Sequence, residues 1–494
     1  MRVSAEAAID KAEEPVGGRV RGAVMWRSGS QIVAQTVSWA STLLVIRLLD
    51  PSDYGLFAMS QAVLAFMAFL SGYGFASALI QSETVDAVRV RQAFGMLLLL
   101  NGALALTQLL IAPLAADYYN QPLIGDMLRW QSLLYLATPF SVIPEVLLTR
   151  RLDFKVPAIV TVVTTALGAV TAVTLAFAGA GVWTLVAAPI VIFWTRAIGL
   201  VLATRFFVVP SFDFRGAGPM FSFGMTLLLG HFLWVVQSQA DVFIAGRVLD
   251  PHALGLYAEA LFLTQIFAAR FVPPFNEVAF PAYARMQKDK AKLAASFLTA
   301  VRLIMLLALP LYLGLAVTAA PAVETLFGAK WLEMAPLVSI FCLAMPLMTL
   351  QILFAPALNA LGLPRVTLRT NACGAILMPL TFFFAVQFGA AGLAVGWLGA
   401  FSLLTAFTYA QARAHVGIDL KGLARAIAPG LSAAVPMAAI VWLVKGLLPP
   451  LPAPAALGLL VTAGILSYAA ILRVAAPDMV AEAIALVRKR SPAA

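Results

Sequence analysis

The sequence predicts an all-α membrane protein of about fourteen transmembrane helices, two six-helix lobes related as parallel repeats followed by a C-terminal helix pair. Three observations predict it. Apolar runs of spanning length recur along almost the whole chain, basic residues gather in alternate loops, and one turn is written twice, 200 residues apart. Of 494 residues, 62% are hydrophobic and 11% charged. A soluble chain carries roughly 25% charged residues, so lipid is the solvent that fits this one.

Runs long enough to cross a ~30 Å hydrocarbon core fall near 24–48, 55–80, 92–116, 128–148, 156–178 and 182–203. Six more fall near 219–247, 253–282, 299–320, 333–361, 366–388 and 391–412, and two follow near 425–446 and 454–475. With the N-terminus placed in the cytoplasm, the Lys and Arg residues divide roughly five to one in favour of that side, as the positive-inside rule requires. Both termini are therefore expected in the cytoplasm of a multi-pass inner-membrane protein. Residues 1–22 lack the order of a cleaved signal peptide, so the first span is expected to direct insertion.

The repeated turn reads RLLDPSDYGLFA from Arg47 and RVLDPHALGLYA from Arg247. Arg47, Leu49, Asp50, Pro51, Gly55, Leu56 and Ala58 all recur 200 positions later. A fainter echo joins Gly179-Ala180-Gly181 to Gly389-Ala390-Ala391-Gly392. Each copy lies between equivalent spans, so the halves are expected to be parallel repeats about an axis along the membrane normal. The expected organisation is a cytoplasmic tail (1–23), an N-lobe (24–212), a C-lobe (213–415), an extra helix pair (416–476) and a second cytoplasmic tail (477–494).

The chain resembles the polysaccharide-transporter branch of the multidrug/oligosaccharidyl-lipid/polysaccharide flippase superfamily, in its O-antigen and colanic-acid exporter (Wzx-like) form. The residues that carry the resemblance are WRSGSQIVAQ from Trp26, RLLDPSDYGLFAMS from Arg47, GYGFASALIQ from Gly72 and YNQPLIGDMLRWQSLLYLATPFSVIPEVLLTRRLDF from Tyr119. It implies a V-shaped pair of lobes around a central cavity. It also implies a flippase that carries polyprenyl-pyrophosphate-linked oligosaccharide repeat units for lipopolysaccharide or exopolysaccharide synthesis. Membrane lipids and other polysaccharide-assembly membrane proteins would be its partners, with no nucleic acid.

Several side chains are candidates for the cavity. Arg27, Gln31, Gln35, Ser38 and Thr42 share one face of the first span. Such a stripe serves either helix contacts or sugar hydroxyls. His231 and Ser238 occupy the places of Gln31 and Ser38 in the second copy. Arg270 lies mid-span, with Glu259 and Glu277 on its face but at neither i±3 nor i±4. Pro273 and Pro274 beside it are expected to bend the helix or loosen its ladder. Arginine at that depth costs ~2.5–3.5 kcal/mol even on the lower scale, and its planar fork suits a pyrophosphate. The structural alternative pairs Arg270 with Asp241. Arg196 and Glu145 form a candidate inward gate or ion pair, and Arg302 is expected to snorkel.

Some chemistry is disfavoured. No phosphate-binding G-x-x-x-x-G-K-[ST] loop occurs, the three His are scattered, and Cys342 and Cys373 lie in apolar stretches. No cofactor, metal or catalytic residue is therefore expected, and the chain is not expected to be an enzyme. Two alternatives remain open at this level: an ion-coupled multidrug antiporter of the same superfamily, and a membrane glycan polymerase or ligase.

Overall fold

The computed structural model describes residues 16–68, 87–150, 153–213 and 218–475. The terminal tails and the GYGFASALIQ segment lie outside these residues. Among the described residues all regular structure is helical. That is the expected solution in lipid, where each backbone N–H and C=O must be satisfied inside its own segment.

The first series of helices is α1 (Val16–Leu48), α2 (Pro51–Ala68), α3 (Ala87–Tyr119), α4 (Pro122–Gln131), α5 (Leu133–Arg150), α6 (Lys155–Phe177) and α7 (Trp183–Thr204). The second is α8 (Gly218–Val248), α9 (Pro251–Met286), α10 (Lys290–Leu326), α11 (Ala335–Ile352), α12 (Phe354–Ala360), α13 (Pro364–Ala385) and α14 (Gly389–Val416). Helices α15 (Leu420–Leu447) and α16 (Ala453–Ala475) complete the chain. Ten segments among the described residues are long and apolar enough to cross a membrane; one of them, Pro364–Val416, holds both α13 and α14. Many large apolar side chains point outward, Ile32, Leu110 and Leu466 among them. A water-soluble protein would not leave so many uncovered.

The chain divides into two compact units, 1–247 and 248–494. In the first, α7 packs on α5 and α6, α5 on α3, and α6 on α1. In the second, α14 packs on α11 and α13, and α11 on α10. Three of these packings have counterparts in the second unit (α7 on α5 and α6, α5 on α3), whereas α6 on α1 has none among those named there. The repeated turns also match in local structure. Helices end at Leu48 and Val248 and restart at Pro51 and Pro251, with proline at the first helical position, where its missing N–H costs nothing. The caps differ in detail. Asp250 Oδ1 accepts from the Ala253 N–H at 3.0 Å, whereas in the first copy Asp53 Oδ2 accepts from the Asp50 N–H at 3.1 Å. In the fainter echo Gly179 and Gly389 take φ of 72° and 71°, positive values that glycine adopts without strain.

The C-terminal pair is anchored on α10. Gly422, Ala426 and Gly430 form a stripe of small residues along α15, with Gly422 against Leu298 and Gly430 against Met305 and Leu309. Small residues let two helix backbones approach in lipid, where apolar burial gives no drive for association. Two polar ties lock the register: Lys445 Nζ donates to the Val317 carbonyl at 2.9 Å, and the Tyr468 hydroxyl donates to the Leu306 carbonyl at 2.8 Å.

Candidate functional site

The polar stripe on α1, read from the sequence separately from the Arg196–Glu145 pair, reaches the level of that pair at Gln35, within the first unit. Lys155 Nζ sits 5.5 Å from the centre of the Trp26 ring, and Ser41 Oγ lies 3.5 Å from the Ala169 carbonyl. Both helices rise 1.5 Å per residue, so these two contacts place Gln31 beside residue 160 and Gln35 beside Thr164. On the other side of α6, Val160 lies against Gly199 and Gly168 against Ile192. That register puts Arg196 level with Thr164. Gln31 and Thr42 are exposed, Gln35 and Ser38 half-buried, and Thr164 buried. The side chains of Arg27 and His231 lie outside the described residues.

Within this belt Arg196 meets Glu145. Its Nη2 stands 2.9 Å from both carboxylate oxygens, and its Nη1 reaches Thr161 Oγ1 at 3.4 Å. The carboxylate therefore engages one guanidinium nitrogen and leaves the rest of the fork open. Neither partner is sealed: the side chains are 32% and 42% exposed. Pro139 and Pro144 interrupt the hydrogen-bond ladder of α5 just before Glu145, and Pro189 does the same in α7 before Arg196.

The second unit carries the other set. Helix α9 runs unbroken from Pro251 to Met286 through Pro273, Pro274 and Pro281. The ladder is nonetheless thinned. Each proline lacks the N–H that would bond four residues back, which frees the carbonyls of Ala269, Arg270 and Glu277. Arg270, Pro274, Glu277 and Pro281 share one exposed face, flanked by exposed Phe271 and Phe280. Two charged side chains therefore stand beside their own freed carbonyls. Glu259 lies on the same face three turns earlier and is half-buried. Asp241 is fully buried on α8, in the other unit. Arg302, expected to snorkel, is half-buried on α10 with its Nε covered.

A further cluster joins α3 to α8 inside the first unit. Arg247 donates to the carbonyls of Asp117 (3.3 Å) and Tyr118, and its guanidinium lies 5.4 Å from the Tyr118 ring centre. Tyr118 stacks on Phe243 at 4.8 Å, and its hydroxyl donates to the Phe243 carbonyl at 3.4 Å. Gly246 lets Tyr119 and Met59 close over the helix.

The family model for "Polysaccharide biosynthesis protein" matches residues 44–336, more than half of the chain. The chain belongs to this family. It is 27% identical to the succinoglycan biosynthesis transport protein ExoT of Rhizobium meliloti (strain 1021), over 69% of each chain. It is 22% identical to the lipopolysaccharide biosynthesis protein WzxC of Escherichia coli (strain K12), over 76% of each. Among solved structures, the inward closed conformation of the lipid II flippase MurJ superposes with a TM-score of 0.74 at 11% identity, covering 92% of this chain and 100% of that one. An inward-facing multidrug transporter of the MATE family and MOP superfamily gives 0.61 at 13% identity, covering 80% and 98%. The fold is thus that of the multidrug/oligosaccharidyl-lipid/polysaccharide flippase superfamily, and the protein is a membrane transporter of its polysaccharide biosynthesis family.

In a transporter of this family the two polar sets are complementary in kind. The belt of the first unit carries amide and hydroxyl groups, which both donate and accept hydrogen bonds, while Arg196 and Arg270 carry guanidinium forks, which suit oxyanions. The Tyr118–Arg247 cluster was not singled out from the sequence. A signal for it existed: the arginine recurs in both copies of the turn, at Arg47 and Arg247.

Proposed function

We propose that the protein is a flippase, and not an enzyme, that moves polyprenyl-pyrophosphate-linked oligosaccharide repeat units across the inner membrane for lipopolysaccharide or exopolysaccharide assembly. The observation that carries this reading is the exposed face of α9. There the Arg270 guanidinium stands near the middle of a spanning-length helix, beside carbonyls freed by Pro273 and Pro274, in a chain of the polysaccharide biosynthesis family. A charge held on such a face needs an anion or water, and a pyrophosphate fits its two-pronged geometry. Glycan synthesis runs through the names of the curated relatives, which favours a glycan cargo over a drug. The superposed flippase is named for lipid II, itself a lipid-linked cargo.

In this reading the lobes are 24–212 and 213–415, about fourteen spans cross the bilayer, and both termini face the cytoplasm. The polar groups hold the glycan and pyrophosphate while the lipid tail stays in the bilayer, and alternating access exposes the cargo to the other side. Export and membrane abundance of Arg270 variants, measured together, test the role of that residue. Arg270→Ala is expected to abolish export at normal abundance, and Arg270→Lys to give an intermediate loss. Normal export by an abundant Arg270→Ala protein eliminates the substrate role. Collapse of abundance points instead to a structural pair, whose rupture costs ~3–5 kcal/mol.

A further inference from the structure

The flippase reading leaves one problem of chemistry. A site that grips a pyrophosphate well on one side must also let it go on the other. The Glu145–Arg196 pair has the build for that task.

The pair is internal to the first unit, and three helices supply it: Glu145 from α5, Thr161 from α6 and Arg196 from α7. A stabilising ion pair buried in lipid would be closed, with both prongs of the guanidinium in use and both partners covered. This one is open. The carboxylate holds only Nη2, Nη1 has a long 3.4 Å contact to Thr161, and 32% and 42% of the two side chains remain uncovered. Arginine carries five N–H donors, so donors remain for a second anion. The pair is also unrepeated. The glycine echo places Ala406 of α14 where Arg196 stands on α7, so the repeat that built the fold does not require it. Prolines in α5 and α7 stand within two turns of both members, which makes the separation of the two side chains adjustable.

We infer that Arg196 is a second oxyanion-binding group of the flippase and that Glu145 is a tethered competitor for it. This rests on the flippase reading. An incoming diphosphate takes the guanidinium from the carboxylate, and the carboxylate, fixed nearby at high effective concentration, takes it back when the cargo moves. The guanidinium is never left without an anion, so neither exchange passes through a bare charge in a low-dielectric setting. The carboxylate weakens binding and thereby permits release. The amide of Gln35 stands at the same level and that of Gln31 one turn away along α1, within reach of the first sugars.

The test uses the full-length protein in detergent, with farnesyl diphosphate as the probe and farnesol as its uncharged control. Wild type is expected to prefer the diphosphate. Glu145→Gln, which removes the competitor's charge, is expected to bind it about tenfold more tightly, ~1.4 kcal/mol, while export slows. Glu145→Asp, which draws the carboxylate back by one methylene, is expected to fall between the two. Arg196→Gln is expected to lose most of the preference for diphosphate over farnesol. A merely structural pair predicts the opposite for Glu145→Gln: a lower melting temperature and unchanged or weaker binding. That outcome, or an Arg196→Gln protein with full preference, overturns the inference and leaves the flippase reading intact. If Glu145→Gln does not fold, wild-type affinity in Glu145→Asp overturns it equally. A wild type indifferent to the diphosphate overturns both readings together.

Discussion

Replacing Arg247 tests the clasp between α3 and α8. The Arg247→Ala change removes two charge-assisted hydrogen bonds to the carbonyls of Asp117 and Tyr118 and one cation–π contact with the Tyr118 ring. Hydrogen bonds to charged groups contribute ~1.5–3 kcal/mol each when shielded. Arg247 is exposed, so screening brings each below about 1 kcal/mol. The ring contact adds ~0.5–1 kcal/mol at an exposed site. The expected loss is therefore about 2 kcal/mol, roughly a 30-fold change in an equilibrium constant. The carbonyl bonds belong to the backbone, so Tyr118→Leu leaves them in place and removes the side chain, whose contacts with Phe243 cancel in the cycle. A double-mutant cycle of Arg247→Ala with Tyr118→Leu, read by unfolding of the purified protein in detergent, isolates the ring contact. The expected coupling is ~0.5–1 kcal/mol. Additivity within ~0.3 kcal/mol would refute the claim that guanidinium and ring support each other.

Other outcomes follow from the same geometry. Gly246→Val should destabilise the first unit, because even a Cβ there would lie 2.7 Å from Tyr119 Cε1; a variant that melts like wild type counts against this packing. Asp250→Ala should cost ~1 kcal/mol by removing the acceptor for the Ala253 N–H, measured as a shift in unfolding. Gly430→Leu should cost ~1–3 kcal/mol by overpacking against Met305 and Leu309, and loss of α15 from α10 would show as proteolysis of the C-terminal pair. A single cysteine at position 290 should be protected from an impermeant reagent in intact spheroplasts and one at position 250 labelled; the reverse pattern refutes the proposed orientation.

The sequence by itself determined the helical class, the repeat and the family, because lipid leaves few solutions to a chain this apolar. Periodicity and one duplicated phrase then suffice. The DP turn at Asp50 and Asp250 announces both the duplication and the local structure, since proline and aspartate act through backbone geometry that needs no distant partner. The candidate side chains were legible as types: a guanidinium or amide inside an apolar run costs too much to be idle.

Only the tertiary structure decided which of them meet. Residue spacing along α1 says nothing about depth relative to α6 and α7, so the level shared by Gln35 and Arg196 had to come from the contacts that α6 makes with both neighbours. The clasp was hidden for the same reason. Tyr118 and Arg247 lie 129 residues apart in the chain, and no local period joins them. Prolines showed the limit from the other side: residue type alone suggests that Pro273 and Pro274 bend α9 or loosen its ladder, and the structure shows a helix that stays whole and packs on α10 and α11. Tertiary contacts outweigh the few hydrogen bonds that proline removes, and the freed carbonyls remain as the polar face where Arg270 stands.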